Sequence, residues 1–310
     1  MGAMTSATRS VSATLRVALT RIWRDGRKAE RTAYVVGGLL FASGLVAVAV
    51  LLVTGGSWTG PVSLRKAATF GMSFGLTLAT VAWAVSYLRI TERRRSFLLT
   101  AFTVVSVVET GLVSMQAWRG VPSHFNFQTP FDTTVSMTLA VGGAVIILTV
   151  AGLGLASIAG TRELSAAMRI AIRAGFVILV VALVVGAVMI ARGVVQARSG
   201  QAQLAYTTAG ALKPVHAVAM HAILVLPGLA WLLDLTDWAD RVKTRFVLIA
   251  TTGYALLTVV VLIESSRGVS PFAASLPETA VSVLAIALLA GAAVGAGGGV
   301  LTRGRRISDS

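Results

Sequence analysis

Apolar residues are grouped along the chain into eight stretches, separated by short segments that contain most of the charged residues. A helix needs about 20 apolar residues to cross roughly 30 Å of hydrocarbon. The stretches lie at about 32–54, 68–88, 97–118, 133–157, 170–191, 214–233, 246–264 and 279–301. This pattern predicts an all-α integral membrane bundle of about eight transmembrane helices, with no linker long enough to contain a soluble domain.

A different pattern precedes the first stretch. Apolar residues recur there at helical spacing on one side, at Val11, Leu15, Ala18, Leu19, Ile22 and Trp23. Arginine and lysine are frequent at the other positions, which predicts a short basic amphipathic helix on the membrane surface. The alternative is a charged, partly disordered tail. The chain thus divides into an amphipathic segment at 1–31, a transmembrane domain at 32–303 and a tail at 304–310.

Composition supports this division and limits the chemistry. Hydrophobic residues make up 55% of the chain and charged residues 13%, whereas soluble domains contain about 25% charged residues. There is no cysteine, which excludes disulfides, thiolate metal sites and a cysteine nucleophile. Histidine and carboxylate side chains would have to supply any metal ligands or acid-base groups.

The net charge of +15 has a membrane explanation. If the N-terminus is cytoplasmic, 20 of the 27 lysines and arginines lie in cytoplasmic segments. The positive-inside rule therefore predicts a bacterial plasma membrane protein with both termini cytoplasmic. We expect its partners to be the lipid bilayer and anionic headgroups at the cytoplasmic face, and not nucleic acid.

One tripeptide occurs three times, each time where an outward-going helix is predicted to end. The three copies begin at Arg119, Arg192 and Arg267, and each continues with Gly-Val. Arginine complements the negative end of a helix and glycine suits the left-handed cap position. Related helical hairpins are the alternative explanation.

Small residues at GxxxG spacing predict close helix contacts. Gly71 and Gly75 form such a pair in the second stretch, and Gly291, Gly295 and Gly299 form two overlapping pairs in the last. These faces could pack within the bundle or in a homo-oligomer.

Polar residues concentrate in the half of the bundle nearest the predicted outer face. Ionisable groups in a membrane usually have a partner or a role. Glu109 lies near the middle of the third stretch, and two histidines lie in the first half of the sixth. The candidate residues are His124, His216, His221, Glu109, Gln116, Asp132, Glu264, Arg119 and Arg192.

Five of these candidates also have a structural interpretation. His124 could fold its loop, and His216 and His221 could bond a backbone carbonyl or a serine of a neighbouring helix. Glu109 could form a structural ion pair with a basic side chain, for which Arg192 is one candidate. Asp132 precedes two threonines at the start of the fourth stretch, which is typical of a helix N-cap.

Two segments carry a resemblance. WRGVPSHFNFQTPFD, from Trp118 to Asp132, and HAVAMHAILVLPGLAWLL, from His216 to Leu233, resemble segments of a group of uncharacterised bacterial multi-pass membrane proteins. In that group an SHFN-type outer loop is followed by a helix with His-x4-His and a Leu-Pro pair. No activity is established for the group, so the resemblance implies only that loop and helix form one unit.

The first functional hypothesis is a haem or metal protein. His216, His221 and His124 would be the cofactor ligands, and a divalent metal ion could also use Glu109 or Asp132. His216 and His221 are five residues apart, which is about 140° of helical rotation, so they would not bind one ion from one helix face.

The second hypothesis is a proton-coupled transporter or permease. Glu109, Gln116, Arg119, Arg192 and Glu264 would form the substrate or proton path. The cytoplasmic half shows almost no intramembrane polar group to complete it. A non-catalytic scaffold or assembly subunit is a third possibility, and an enzyme acting on a lipid or quinone a fourth, although no nucleophile with a positioned base is visible.

Overall fold

The computed structural model describes residue 13 and residues 16–308. This part of the chain is helical and contains no β-strand. The helices are α1 (residues 16–25), α2 (Lys28–Thr54), α3 (Arg65–Ser86), α4 (Glu92–Trp118), α5 (Pro130–Ala159), α6 (Ala166–Arg198), α7 (Ala202–Ala211), α8 (Lys213–Met220), α9 (Ala222–Asp234), α10 (Asp240–Ser266) and α11 (Leu276–Ser308). A short 3₁₀ helix, Pro271–Ala273, precedes α11.

Eight helical units are long and apolar enough to cross a membrane. They are α2, α3, α4, α5, α6, the pair α8 and α9, α10 and α11. The predicted all-α bundle is therefore confirmed, and the chain is a multi-pass membrane protein. The sixth unit is interrupted at His221, where the backbone N–H bonds the carbonyl three residues earlier.

The repeated tripeptide does not have the same role at each site. Gly120 and Gly268 have φ angles of 68° and 70° and follow the ends of α4 and α10, as expected for left-handed helix caps. Gly193 lies inside α6, which continues to Arg198. The prediction that the middle copy ends a helix is therefore wrong.

α2 and α3 cross with their backbones in contact. A Cβ built on Gly37 would lie 2.8 Å from the carbonyl oxygen of Gly75, and one built on Gly44 would lie 2.7 Å from that of Ala68. Gly71 in turn faces the backbone of Gly44. Because only glycine lets two helix axes approach this closely, the close contact predicted for Gly71 and Gly75 is confirmed.

Two of the three glycines at GxxxG spacing in α11 face other helices and loops of their own chain. Gly295 packs against the ring of Phe246, and Gly299 against Trp238. A Cβ on Gly291 would meet no described atom within 4 Å. Two of the three positions thus serve intramolecular packing, and the homo-oligomer stays a prediction.

α6 is the central helix of the bundle. It packs against α5, α7, α8, α9 and α10. Its Phe176 and Leu179 lie in the main apolar cluster with Phe102 of α4 and Ile223 of α9. Burial of these side chains fixes the helices whose ends carry the polar residues described below.

We name the two ends of the bundle after Glu30 and His124. The Glu30 end contains the starts of α2, α4 and α6, and the His124 end contains the starts of α3, α5 and α8. At the Glu30 end, Arg95 and Glu30 are both fully buried and their side chains pair at 3.2 Å. Arg95 also donates to the carbonyls of Val85 and, at 2.9 Å, Leu88.

This cluster joins α2, the end of α3 and α4. The Glu30 end is the predicted cytoplasmic half, for which the sequence suggested almost no intramembrane polar group, and the buried Glu30–Arg95 cluster corrects that prediction. The sequence does not indicate this cluster, because Glu30 and Arg95 occupy the first turns of their helices, where charged residues are usually solvent-exposed flanking residues.

α1 confirms part of the predicted amphipathic segment. Leu19 and Trp23 of its apolar stripe are about half exposed, at 58% and 47%. Val11 and Leu15 lie outside the described residues. Ala18 and Ile22 are half-buried, so the apolar face of α1 is only partly covered by its own chain over the part that the structure describes.

Candidate functional site

The loop between α4 and α5 folds back onto the bundle at the His124 end. Phe125 has a φ of 59°, a left-handed conformation that bulky residues rarely adopt. Its ring fills a notch in α6, since a Cβ on Gly193 would lie 2.3 Å from the ring. The side chain is 9% exposed and also packs against Ala205 of α7. Burial of the ring therefore holds the unusual backbone conformation.

Hydrogen bonds from α5 complete the loop. The Ser136 hydroxyl accepts from the backbone N–H of Asn126 at 3.2 Å and can donate to the Asn126 carbonyl at 3.1 Å. The Asn126 side chain in turn donates to the carbonyl of Pro122 and accepts from the N–H of Gln128. These bonds place His124, the residue before Phe125, towards the interior of the His124 end.

The imidazole of His124 contacts a lysine. The Lys66 Nζ lies 3.2 Å from His124 Nδ1, and the Ser123 Oγ lies 3.1 Å from the same nitrogen. The ring packs against Phe70, and the Tyr206 hydroxyl donates to the His124 carbonyl at 3.4 Å. When Lys66 is protonated it can only donate, so in that state Nδ1 is an acceptor and the proton of the neutral ring is on Nε2.

The environment favours the neutral form of His124. Burial lowers its pKa well below the usual value of 6.5, and the positive charges of Lys66 and Lys213 lower it further. His124 is therefore an uncharged hydrogen-bond acceptor at neutral pH. It accepts from Lys66 but offers that ammonium no compensating charge.

Positive charge is in excess around His124. Lys66 interacts electrostatically with Lys213 and Arg65, and the one carboxylate in the group is Glu109. No acidic oxygen lies within 4 Å of these three basic groups among the described residues. Arg65 and Lys66 begin α3, and Lys213 begins α8, where the helix dipole also disfavours cations.

Glu109 lies deeper in the bundle, in the middle of α4. It is 4% exposed, and its Oε1 lies where a side chain on Gly142 of α5 would be, at 2.3 Å from an ideal Cβ. This oxygen has no hydrogen-bond partner among the described residues. Arg192 is exposed on α6 and forms no ion pair with it there, so the suggested Glu109–Arg192 pair is wrong.

Asp132, Gln116 and Arg119 form a separate and internally balanced group. Asp132 Oδ1 accepts from Gln116 at 2.9 Å and from Arg119 at 2.7 Å, and Arg119 also donates to Gln116. Thr129 donates to Asp132 Oδ2 at 2.7 Å. Thr129 is the N-cap of α5, with Pro130 following it, so the prediction that Asp132 is the N-cap is wrong.

The other two histidines bond backbone carbonyls. His216 Nδ1 donates to the Ala182 carbonyl of α6 at 2.8 Å, and His221 Nδ1 donates to Ala217 of its own helix at 2.7 Å. Gly186 leaves space for the His216 ring. The structural interpretation of both residues is therefore consistent with the geometry, and Nε2 of each ring remains an acceptor.

Glu264 lies apart from the other candidates. It is 1% exposed near the end of α10, and neither carboxylate oxygen has a hydrogen-bond partner in the described part of the chain. The adjacent Ser265 hydroxyl is also buried and unpartnered there. Of the nine predicted residues, only Asp132, Gln116 and Arg119 are joined to one another by hydrogen bonds in the part of the chain that the structure describes.

The histidines do not converge with the carboxylates. Within the described residues, no three histidine, aspartate or glutamate side chains are close enough together to hold a metal ion. No family model matches the chain, and neither curated proteins nor solved structures gave a significant match.

Lys66 and Lys213 are the site residues that the sequence analysis missed. Both were counted only as basic residues on the sparsely basic side of the membrane. Two features of the sequence could have indicated them: they oppose the positive-inside distribution, and they stand at predicted helix starts. Their proximity to His124 depends on how the loop folds.

Proposed function

We propose that this protein is a proton-coupled transporter of an anionic solute, with its binding site at the His124 end and that end facing the outside of a bacterial plasma membrane. The observation that carries the proposal is the Lys66–His124 contact within a group of three basic side chains and one distant carboxylate. Arg65 and Lys66 are half-buried and Lys213 is exposed, and a partly buried cation without a counter-ion is costly in a membrane protein. A carboxylate or phosphate ligand would supply the missing negative charge.

Each residue then has a definite role. Lys66 and Lys213 attract and bind the anion, and His124 positions the Lys66 ammonium through Nδ1. Glu109 lies beneath them with a free oxygen and is the group expected to exchange a proton. Asp132, Gln116 and Arg119 hold the start of α5 and the end of α4 together and are positioning residues.

Binding can be tested without knowing the natural solute. Purified protein would be titrated with inorganic phosphate, sulfate and succinate while its thermal unfolding is followed, with chloride as the reference salt. We expect at least one of these anions to stabilise the wild type, because a ligand that binds only the folded state raises the unfolding temperature. Lys66→Gln should weaken that effect at least tenfold.

Stability separates a binding role of Lys66 from a structural one. Removing a cation from a group with excess positive charge should leave the ligand-free protein at least as stable as the wild type. Arg192→Gln, which removes an exposed charge from α6, is the matched control and should keep anion binding. A Lys66→Gln protein that binds all three anions as the wild type does, or a wild type that binds none, would contradict the proposal.

Coupling requires a second measurement, in liposomes. Uptake of the bound anion would be recorded with and without a pH gradient. Glu109→Gln should bind the anion but lose the response of uptake to the gradient. An unchanged response would exclude Glu109 as the proton-exchanging group.

A haem or metal role for the sixth unit is the second candidate. His216 and His221 each donate Nδ1 to a carbonyl and leave Nε2 as an acceptor, which is the arrangement of many metal-binding histidines. A reduced-minus-oxidised optical spectrum and elemental analysis of the purified protein test it. A chromophore or metal that His216→Ala and His221→Ala both retain would exclude these residues as ligands.

A further inference from the structure

A groove at the Glu30 end lies at the elbow between α1 and α2. It has a volume of about 550 Å³ and is a shallow groove that is largely open to the surroundings. Its lining residues are Gly26, Lys28, Arg31, Thr32, Val35 and Val36. It is separate from the His124 site, which lies at the opposite end of the bundle.

The lining changes from polar to apolar along α2. Lys28, Thr32 and Val35 follow one another at helical spacing, so they share a face of the helix. Lys28 and Thr32 are in the first two turns, and Val35, which is 51% exposed, begins the apolar surface that α2 presents outside the bundle. A polar opening that continues into an apolar membrane-facing wall suits an amphipathic ligand.

Arg31 gives the groove a fixed shape. Its Nε donates to the Trp23 carbonyl at 3.1 Å and one terminal nitrogen donates to the Arg24 carbonyl at 2.7 Å. The guanidinium also lies 6.0 Å from the centre of the Trp23 ring. Because these contacts hold the last turn of α1 against the start of α2, the angle between the two helices is fixed by hydrogen bonds.

The groove carries uncompensated positive charge. Three carboxylates are near the groove. Glu30 and Glu92 both pair with Arg27 and Arg95, and Asp25, directly before the lining residue Gly26, forms no ion pair among the described residues. In the described part of the chain, neither Lys28 nor Arg31 has an acidic oxygen within 4 Å. A ligand in the groove would therefore meet a cationic rim.

We propose that this groove binds the headgroup of an anionic phospholipid, with an acyl chain lying along Val35 and Val36. Lys28 contacts the phosphate, and Thr32 donates a hydrogen bond to the headgroup or glycerol oxygens. The exposed apolar face of α1 inserts at the same depth, beside the bound lipid. The proposal depends only on the location of the chain in a membrane and not on transport at the His124 site.

Native mass spectrometry of the full-length protein in detergent tests the proposal. The protein would be supplied with equal amounts of phosphatidylglycerol and phosphatidylcholine carrying identical acyl chains. The wild type should retain phosphatidylglycerol preferentially. Lys28→Gln should lower the ratio of the two bound lipids about fivefold, which corresponds to the loss of one basic contact near a membrane surface.

The control is Arg241→Gln. Arg241 is an exposed basic residue at the start of α10, at the same end of the bundle but outside the groove, and its loss should change the ratio less than twofold. Inorganic phosphate at about 10 mM should not displace the lipid, because the acyl chain adds to binding. Equal effects of the two variants, displacement by phosphate or a wild type without preference would each overturn the proposal.

Discussion

At the Glu30 end, the buried Arg95 guanidinium bonds a carboxylate and two backbone carbonyls. At the His124 end, the Lys66 ammonium has a neutral imidazole as its hydrogen-bond partner, and the nearest carboxylate, Glu109, is not in direct contact with it. Charges that are fully paired stabilise a particular packing of helices, and removing one partner is costly. Charges left without a counter-ion cost stability in the free protein and are available to a ligand. The contrast agrees with a structural role for the Arg95 cluster and is the basis of the binding role that we propose for the Lys66 group.

The largest expected effect comes from removing the paired cation. Arg95→Ala leaves the buried Glu30 carboxylate with Arg27 as its basic partner and leaves the Leu88 carbonyl without its donor. We expect the free energy of unfolding in detergent to fall by about 3–5 kcal/mol. Arg94→Ala, at the exposed neighbouring position, should change it by less than about 0.5 kcal/mol. Similar losses in both variants would show that the Arg95 cluster is not a special support of the fold.

An intermediate effect is expected where the loop of the His124 end docks. Gly193→Ala puts a methyl group within the Phe125 ring and should destabilise the protein by about 1–3 kcal/mol. Gly143→Ala is the matched control, because its Cβ meets no described atom and alanine favours a helix over glycine by about 1 kcal/mol. Thermal unfolding of both variants measures the difference. A stabilised Gly193→Ala protein would mean that Phe125 does not occupy the notch in solution.

The smallest expected effect is a change in how the free energy of unfolding depends on pH. The unfolded chain binds a proton at His124 near pH 6.5, whereas burial and the charges of Lys66 and Lys213 hold the folded-state pKa well below that value. Between the two pKa values the unfolded state binds more protons, so this contribution to stability is complete above about pH 6.5 and is lost as the pH falls towards the folded pKa.

His124→Gln should remove that contribution, which is at most about 1.4 kcal/mol per pH unit. The measurement is the free energy of unfolding of wild type and variant between pH 8 and pH 5. The difference between the two proteins at pH 8 is the baseline, because both side chains are uncharged there. Parallel pH profiles would show that His124 is not held in its neutral form.

Much of the fold was predictable because membrane spans follow from length and hydropathy. All eight stretches became helices, and the structure extended most of them by a few residues into their charged flanks. The prediction of the fold was wrong mainly in the charged residues that flank the spans. Glu30 and Arg95 resemble ordinary flanking charges in the sequence, yet the crossing of α2 with α3 and α4 buries both.

Less of the candidate site could be predicted, because its geometry depends on contacts between distant segments. The sequence identified His124 and Glu109 as unusual but could not show that Lys66, 58 residues earlier, would contact the histidine. The identity of the N-cap residue of α5 depended on local geometry. Both Thr129 and Asp132 are suitable caps by type, and the position of Pro130 at the first turn fixed the choice of Thr129.

The length of α6 has a consequence for where the site stands relative to lipid. Its 33 residues correspond to about 50 Å, whereas the hydrocarbon core is roughly 30 Å thick. Even a tilt of about 40° leaves the helix longer than that core. The apolar run of residues 174–191 fills most of that thickness and Arg192 follows it, so we expect the last turns, including the Gly193 notch, to lie in the headgroup layer. A solute bound as proposed above could then reach the Phe125 loop without first entering the hydrocarbon.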